Sequence, residues 1–126
     1  MTNQELLILM TAFVVKHFVV DFPMQQKYQY LNKGTFGHPG GILHATFHYI
    51  GTMLVLSAFS NVTNILVVLG LALSDGVIHY FVDWAKVNIN KFYGWTATTS
   101  EMFWHLVGLD QLIHYLTYIG IIWYVI

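Results

Sequence analysis

The chain has 126 residues, of which 56% are hydrophobic and only 9% are charged, and its formal net charge is -1. Soluble domains carry about 25% charged residues, so most of this surface is predicted to face lipid rather than water. The absence of arginine argues against a nucleic-acid groove, and the absence of cysteine excludes disulfides and thiolate metal ligands. The length leaves room for one domain.

Four apolar segments are long enough to cross a bilayer, which takes roughly 20 helical residues. The first lacks the basic start and the cleavage site of a signal peptide, so it is expected to be a membrane span. Thr98 and Glu101 have the spacing of a capping box at the start of the last span. The sequence therefore predicts an all-α polytopic membrane protein, a bundle of four transmembrane helices over residues 3–22, 42–60, 65–84 and 102–125.

The lysines lie on one side of this predicted topology. Lys27 and Lys33 lie between the first two spans, Lys86 and Lys91 lie between the last two, and Lys16 is near the same end of the first span. Because cytoplasmic loops carry an excess of lysine and arginine, both long loops are predicted to be cytoplasmic and both termini extracytoplasmic.

Ionisable residues recur at four-residue intervals inside the apolar segments. Four residues is just over one helical turn, so the members of each pair share one helix face. Titratable groups in hydrocarbon are costly unless they are paired, hydrated or bound to metal, and they indicate function. In the predicted topology nearly all of them fall in the cytoplasmic half of the bilayer. The pairs are His17 with Asp21, His44 with His48, Asp75 with His79, His79 with Asp83, and Asp110 with His114.

These imidazoles and carboxylates have the composition of a metal site. Nitrogen and oxygen donors from facing helices suit zinc, with manganese or iron as alternatives. The candidates exceed what one ion needs, so one or two ions are expected, with the surplus orienting ligands or acting as a base. The predicted metal ligands are His17, Asp21, His44, His48, Asp75, His79, Asp83, Asp110 and His114.

Roles can be assigned to these residues as hypotheses. His17 with Asp21 would complete a second site or orient the first. Lys86, three residues after Asp83, is expected to extend to phosphate headgroups, with neutralisation of an anionic substrate in the catalytic site as the alternative. The carboxylates expected to act as ligands or as the general base are Asp75, Asp83 and Asp110. The imidazoles expected to bind the first ion are His44, His48, His79 and His114.

The same residues carry a resemblance to a known family. The chain resembles a family of small integral membrane proteins of unknown function from bacteria and their phages. This resemblance implies a membrane fold, a shared polar site and a location in the bacterial inner membrane. The layout is also similar to that of intramembrane metal hydrolases such as the alkaline ceramidase-like group. The residues that carry the family resemblance are His17, Asp21, Phe22, Gln25, Lys27, His44, His48, His79, Asp83, Lys86, Asp110, Gln111 and His114.

The sequence favours a metal-dependent hydrolase of a lipid or lipid-linked substrate near the cytoplasmic leaflet. Membrane lipids are the expected partners, and Gly70 with Ser74 offers a small-residue face for a homodimer or higher oligomer. Asp and His chains also form proton relays, so a metal-ion or proton transporter or channel is one alternative. A non-catalytic phage or bacterial membrane protein with a structural polar core is another, because polar side chains also join membrane helices.

Overall fold

The computed structural model describes all 126 residues and contains helices alone. Four of the helices are long and apolar enough to cross a membrane, which confirms the predicted all-α bundle of four spans. A fifth helix of four residues lies in the connection between the first two spans. The bounds are α1 Asn3–Asp21, α2 Lys27–Tyr30, α3 Pro39–Phe59, α4 Ile65–Tyr93 and α5 Glu101–Val125.

Short polar side chains set the starts of the long helices. The Thr2 hydroxyl accepts from the Glu5 backbone N–H while the Glu5 carboxylate accepts from the Thr2 N–H, a complete capping box at α1. The capping box predicted for Thr98 and Glu101 is wrong. Glu101 is the first residue of α5, and the Ser100 hydroxyl caps the helix by accepting from the Met102 N–H.

Helix α4 is longer than the span predicted within it. It continues past residue 84 to Tyr93 and ends at Gly94, whose φ of 67° is in the left-handed region that glycine adopts most easily. Its 29 residues extend about 43 Å, more than the roughly 30 Å of hydrocarbon in a bilayer. The segment from about Lys86 onward therefore reaches the membrane boundary.

The four long helices form a ring in which α3 packs on α1 and α4, and α5 packs on α4 and α1. Gly76 permits the close approach of α3 and α4, because a Cβ at this position would lie 3.1 Å from the Ala45 carbonyl oxygen. Gly70 and Ser74 lie on an exposed face of α4.

The interior of the bundle is divided between an apolar end and a polar end. The apolar end, near the 60–64 turn and the two termini, is filled by hydrophobic side chains. The polar end, where α1 and α4 finish and α3 and α5 begin, holds the ionisable residues. Large apolar side chains such as Leu7, Phe18 and Leu54 face outward, as expected for a helix bundle in lipid. The apolar end contains Leu9, Phe13, Val55, Leu56, Val68, Tyr118, Ile121 and Ile122.

Candidate metal centre

The structure brings the predicted ionisable residues together inside the polar end. Each long helix contributes at least two of them, because four-residue spacing keeps them on the inward face. Asp21 is the most exposed, with 11% of its side chain accessible, since it ends α1 at the edge of the bundle. The fully buried members are His17, His44, His48, Asp75, His79, Asp83, Asp110 and His114.

Asp21 is surrounded by imidazoles. Its Oδ2 lies 3.0 Å from Nε2 of His17, and its Oδ1 lies 2.9 Å from Nε2 of His48. The same Oδ1 lies 3.2 Å from Nε2 of His44 and 3.3 Å from Nε2 of His79. These imidazoles come from α1, α3 and α4, so Asp21 joins three helices at one point.

Two of these histidines have partners on both ring nitrogens. The Gln111 amide is oriented by donating through Nε2 to Asp110, so its Oε1 accepts from the Nε2–H of His17 at 2.9 Å. Nδ1 of His17 then accepts a hydrogen bond from the Tyr118 hydroxyl at 2.8 Å. Lys16 Nζ lies 3.1 Å from Nδ1 of His48, so the Nε2–H of His48 donates to Asp21. His48 therefore orients the Asp21 carboxylate by donating to it, while the Nε2–H of His17 is directed to Gln111.

His44 has the opposite arrangement. Its Nδ1–H donates to Oε1 of Gln29 at 3.2 Å, and the Gln29 amide is oriented by its own donation to the Met24 carbonyl oxygen at 3.2 Å. In the neutral ring, Nε2 then carries a lone pair. This lone pair lies 3.2 Å from Asp21 Oδ1 and 3.4 Å from Asp83 Oδ2, and Nε2 makes no hydrogen bond. A buried lone pair facing two carboxylate oxygens is unfavourable unless the ring is protonated or a cation lies between them.

His79 completes this donor set. Neither of its ring nitrogens has a hydrogen-bond partner, and Nε2 lies 3.3 Å from Asp21 Oδ1 and 3.4 Å from Asp83 Oδ2. Donor atoms of His44, His79 and Asp83 all lie within 4.8 Å of one another. Ligand atoms about 2.0–2.1 Å from a tetrahedral zinc are about 3.3–3.4 Å apart, which matches these nitrogen–oxygen separations. His44, His79 and Asp83 could therefore hold one divalent ion, with Asp21 beside it, and Asp21 also belongs to a group with His17, His48 and His79 whose donor atoms lie within 4.8 Å of one another.

A second group of possible ligands is already neutralised by a lysine. Asp83, Asp110 and His114 also have donor atoms within 4.8 Å of one another. However, Lys86 Nζ lies between two of them, 2.9 Å from Asp83 Oδ1 and 2.8 Å from Asp110 Oδ2. This inward position differs from the extension to phosphate headgroups that was the favoured expectation for Lys86. His114 Nε2, 3.3 Å from Asp110 Oδ1, makes no hydrogen bond.

Asp75 lies apart from the candidate metal ligands. Its Oδ2 accepts from Lys16 Nζ at 2.6 Å and from the Thr52 hydroxyl at 2.5 Å. Gly51 makes room for the lysine, since a Cβ there would lie 2.9 Å from Lys16 Cγ. Asp75 is therefore in an ion pair on the side of the site nearer the apolar end.

Three lysines contact this network, and the sequence analysis assigned two of them, Lys16 and Lys33, to topology alone. Lys33 Nζ lies 2.9 Å from Asp83 Oδ2 and donates to Gln25 Oε1 at 2.8 Å. A lysine within a membrane span needs a buried partner or a position at the interface. The presence of Lys16 inside the first span could therefore have predicted that it pairs with a buried carboxylate. Only Lys27 and Lys91 remain exposed lysines of the two long connections.

Comparison with known proteins identifies one family. A family model described as "Protein of unknown function (DUF3307)" matches residues 9–126, which include every candidate ligand. The chain belongs to this family. No curated protein and no solved structure matches this chain. The predicted resemblance to a family of unknown function is thus confirmed, and DUF3307 membership brings no activity with it.

Proposed function

We propose that this protein is a membrane hydrolase that uses one divalent metal ion, most simply zinc, to act on a lipid or lipid-linked substrate. The observation that carries the proposal is the lone pair of His44, which faces the carboxylates of Asp21 and Asp83 without a hydrogen bond. His44, His79, Asp21 and Asp83 would be the ligands. This donor set suits zinc and also accepts manganese or iron(II).

The distribution of charge supports the same proposal. Asp75, Asp83 and Asp110 each contact a lysine ammonium group, whereas Asp21 contacts imidazoles only. With neutral imidazoles, a buried carboxylate that has no cation is costly. A divalent ion beside Asp21 removes this cost and accounts for the direction of the His44 and His79 nitrogens.

A bound divalent ion supplies a nucleophilic water at neutral pH and polarises the carbonyl or phosphoryl oxygen under attack. His114 is the side chain available to exchange protons, because neither of its nitrogens has a hydrogen-bond partner and Asp110 Oδ1 lies 3.3 Å from its Nε2. Asp75 is unsuited to that role because Lys16 and Thr52 both donate to it. Asp110 would orient His114.

The closed apolar end favours hydrolysis over transport. Leu9, Phe13 and Leu56 are completely buried there, with no polar side chain among the cluster other than Tyr118. An ion or proton path needs polar groups or water through this region. The exposed Lys27 and Lys91 lie at the polar end, so the proposed site opens toward the cytoplasmic leaflet of a bacterial inner membrane, with both termini outside.

The first test is metal content of protein purified in detergent and reloaded with zinc, manganese or iron(II). We expect about one equivalent in the wild type, loss of metal in His44→Ala and His79→Ala, and wild-type content in His105→Ala, an exposed histidine. Wild-type protein that stays free of metal after reloading would contradict the proposal.

The second test concerns the reaction itself. Metal-loaded protein is incubated with a bacterial lipid extract, and products are identified by mass spectrometry. Hydrolysis products that disappear with chelator and in His79→Ala support the proposal. Loaded protein that releases no product but moves metal ions across vesicles would favour the transporter instead.

A further inference from the structure

We infer that the substrate is a phospholipid, whose phosphate group is held between Lys33 and Lys86 while its tail lies in the apolar groove between α4 and α5. This inference rests on the proposed metal site and assigns the substrate class to it. Its evidence consists of the two lysines, the net charge of the site, and the groove that meets it.

Lys33 and Lys86 contact opposite oxygens of one proposed ligand. Lys33 Nζ lies 2.9 Å from Asp83 Oδ2, and Lys86 Nζ lies 2.9 Å from Asp83 Oδ1. Their side chains are 12% and 15% exposed, whereas the Lys16 side chain is 5% exposed. Lys33 and Lys86 are thus the more exposed of the three ammonium groups that contact the polar network. Two ammonium groups beside a metal are a recurring arrangement for holding phosphate oxygens.

The charge of the polar end changes sign when a divalent ion binds. The polar end contains four carboxylates and three ammonium groups, so with neutral imidazoles it has one excess negative charge. When a divalent ion is bound, the polar end instead has one excess positive charge. A phosphate monoanion would neutralise that charge in a site of low dielectric constant. Phosphate binding should therefore depend on the bound metal.

A groove between α4 and α5 meets the site at Lys86. It has a volume of about 230 Å3, and Lys86 and Asp110 are the charged residues among its lining. Its walls include Phe81, Leu106 and Ile113. An apolar groove in lipid with an ammonium group beside it is complementary to a molecule that has both an acyl chain and a phosphate.

A larger groove of about 680 Å3 between α1 and α3 is less suited to this substrate. The charged residue in its lining is Lys16, which pairs with Asp75 at 2.6 Å, a carboxylate separate from the proposed metal ligands. Lys86 in the smaller groove pairs instead with Asp83, which is a proposed ligand. The smaller groove is the one that leads to the ammonium group beside Asp83.

The test measures binding of three ligands to metal-loaded protein in a neutral detergent, with metal content determined on the same samples. The ligands are a short-chain phosphatidate, the diacylglycerol of the same chain length, and inorganic phosphate. We expect the phosphatidate to bind at least about tenfold more tightly than the diacylglycerol or inorganic phosphate. After the metal is removed with a chelator, its binding should be about tenfold weaker. Diacylglycerol binding as tightly would overturn the inference, and inorganic phosphate binding as tightly would overturn the lipid assignment.

Variants connect that binding to the lysines. The double variant Lys86→Met, Asp110→Asn removes both members of an ion pair, so no buried charge is left unpaired. This variant should bind phosphatidate about tenfold more weakly than the wild type. Lys86→Arg should retain binding, and Lys91→Met, an exposed lysine, is the matched control. A folded double variant that binds metal and phosphatidate like the wild type would overturn the inference. Absence of metal from the wild type would instead overturn the proposed function.

Discussion

Oε1 of Gln29 lies 3.2 Å from Nδ1 of His44, and this contact determines which nitrogen of the histidine carries its lone pair. Gln29 comes from the short helix α2, which precedes α3 and is completely outside the predicted spans. A residue of a connecting segment thus prepares a proposed ligand inside the membrane. Partners that orient a metal-binding histidine typically change metal affinity 10–100-fold when they are removed.

Replacing Gln29 should therefore weaken metal binding without removing a ligand. Gln29→Leu deletes the acceptor for Nδ1–H, and we expect about a 10–100-fold loss of zinc affinity, whereas Gln29→Glu keeps an acceptor oxygen and should lose much less. Competition with a chromophoric chelator measures both affinities. Equal affinity in the wild type and in a folded Gln29→Leu would show that this contact does not prepare His44.

Removal of the metal should loosen the polar end while leaving the bundle helical. The apolar end packs through Leu9, Phe13 and Leu56 without any proposed ligand, so its contacts persist when the ion is removed. A ligand present at 100 times its dissociation constant adds about 2.7 kcal/mol of stability. Thermal unfolding followed by circular dichroism should therefore show a lower midpoint after chelation, with the initial helical signal retained. Loss of the helical signal on chelation would indicate a purely structural metal.

The Lys16–Asp75 pair offers a test of buried charge. Lys16→Met leaves the buried Asp75 carboxylate with the Thr52 hydroxyl as its remaining donor, and removing one partner of a buried pair typically costs about 3–5 kcal/mol. Combining Lys16→Met with Asp75→Asn removes both charges and should recover most of that loss. Unfolding in mixed micelles gives the free energies. A double variant no more stable than the single one would contradict the pairing.

Gly76 tests whether close packing of α3 on α4 positions the site. A Cβ at residue 76 would lie 3.1 Å from the Ala45 carbonyl oxygen, so Gly76→Ala should force the helices apart at a cost of about 1–3 kcal/mol. Because His79 is one turn further along α4 and His44 precedes Ala45, metal affinity should fall as well. Gly70→Ala is the matched control, since nothing lies within 4 Å of a Cβ there. Equal stability of the two variants would contradict this account.

The sequence was sufficient to predict the helices and the inward faces, since both depend on local periodicity. His79 and Asp83 share a face because they are four residues apart, and no tertiary information is needed for that. The choice of partners across helices is different. Lys16 and Asp75 are 59 residues apart in the chain, and their pairing depends on how α1 and α4 meet across Gly51 of α3.

The roles of individual histidines were beyond the sequence for a similar reason. His48 was expected to bind metal, and it remains a candidate because its donor atom lies within 4.8 Å of those of Asp21 and His79. The sequence did not predict that Lys16 would lie beside its Nδ1 while its Nε2–H faces Asp21. Such assignments follow from the hydrogen bond at the other ring nitrogen, which only the assembled bundle determines.

The closed apolar end has a consequence for where the products of any reaction would go. With Leu9, Phe13 and Leu56 filling the bundle on one side, the proposed site can be reached only from the polar half of the bundle. Substrate and product would therefore exchange with the same monolayer. The protein would then alter the lipid composition of one leaflet only, and the asymmetry between leaflets would follow from its orientation in the membrane.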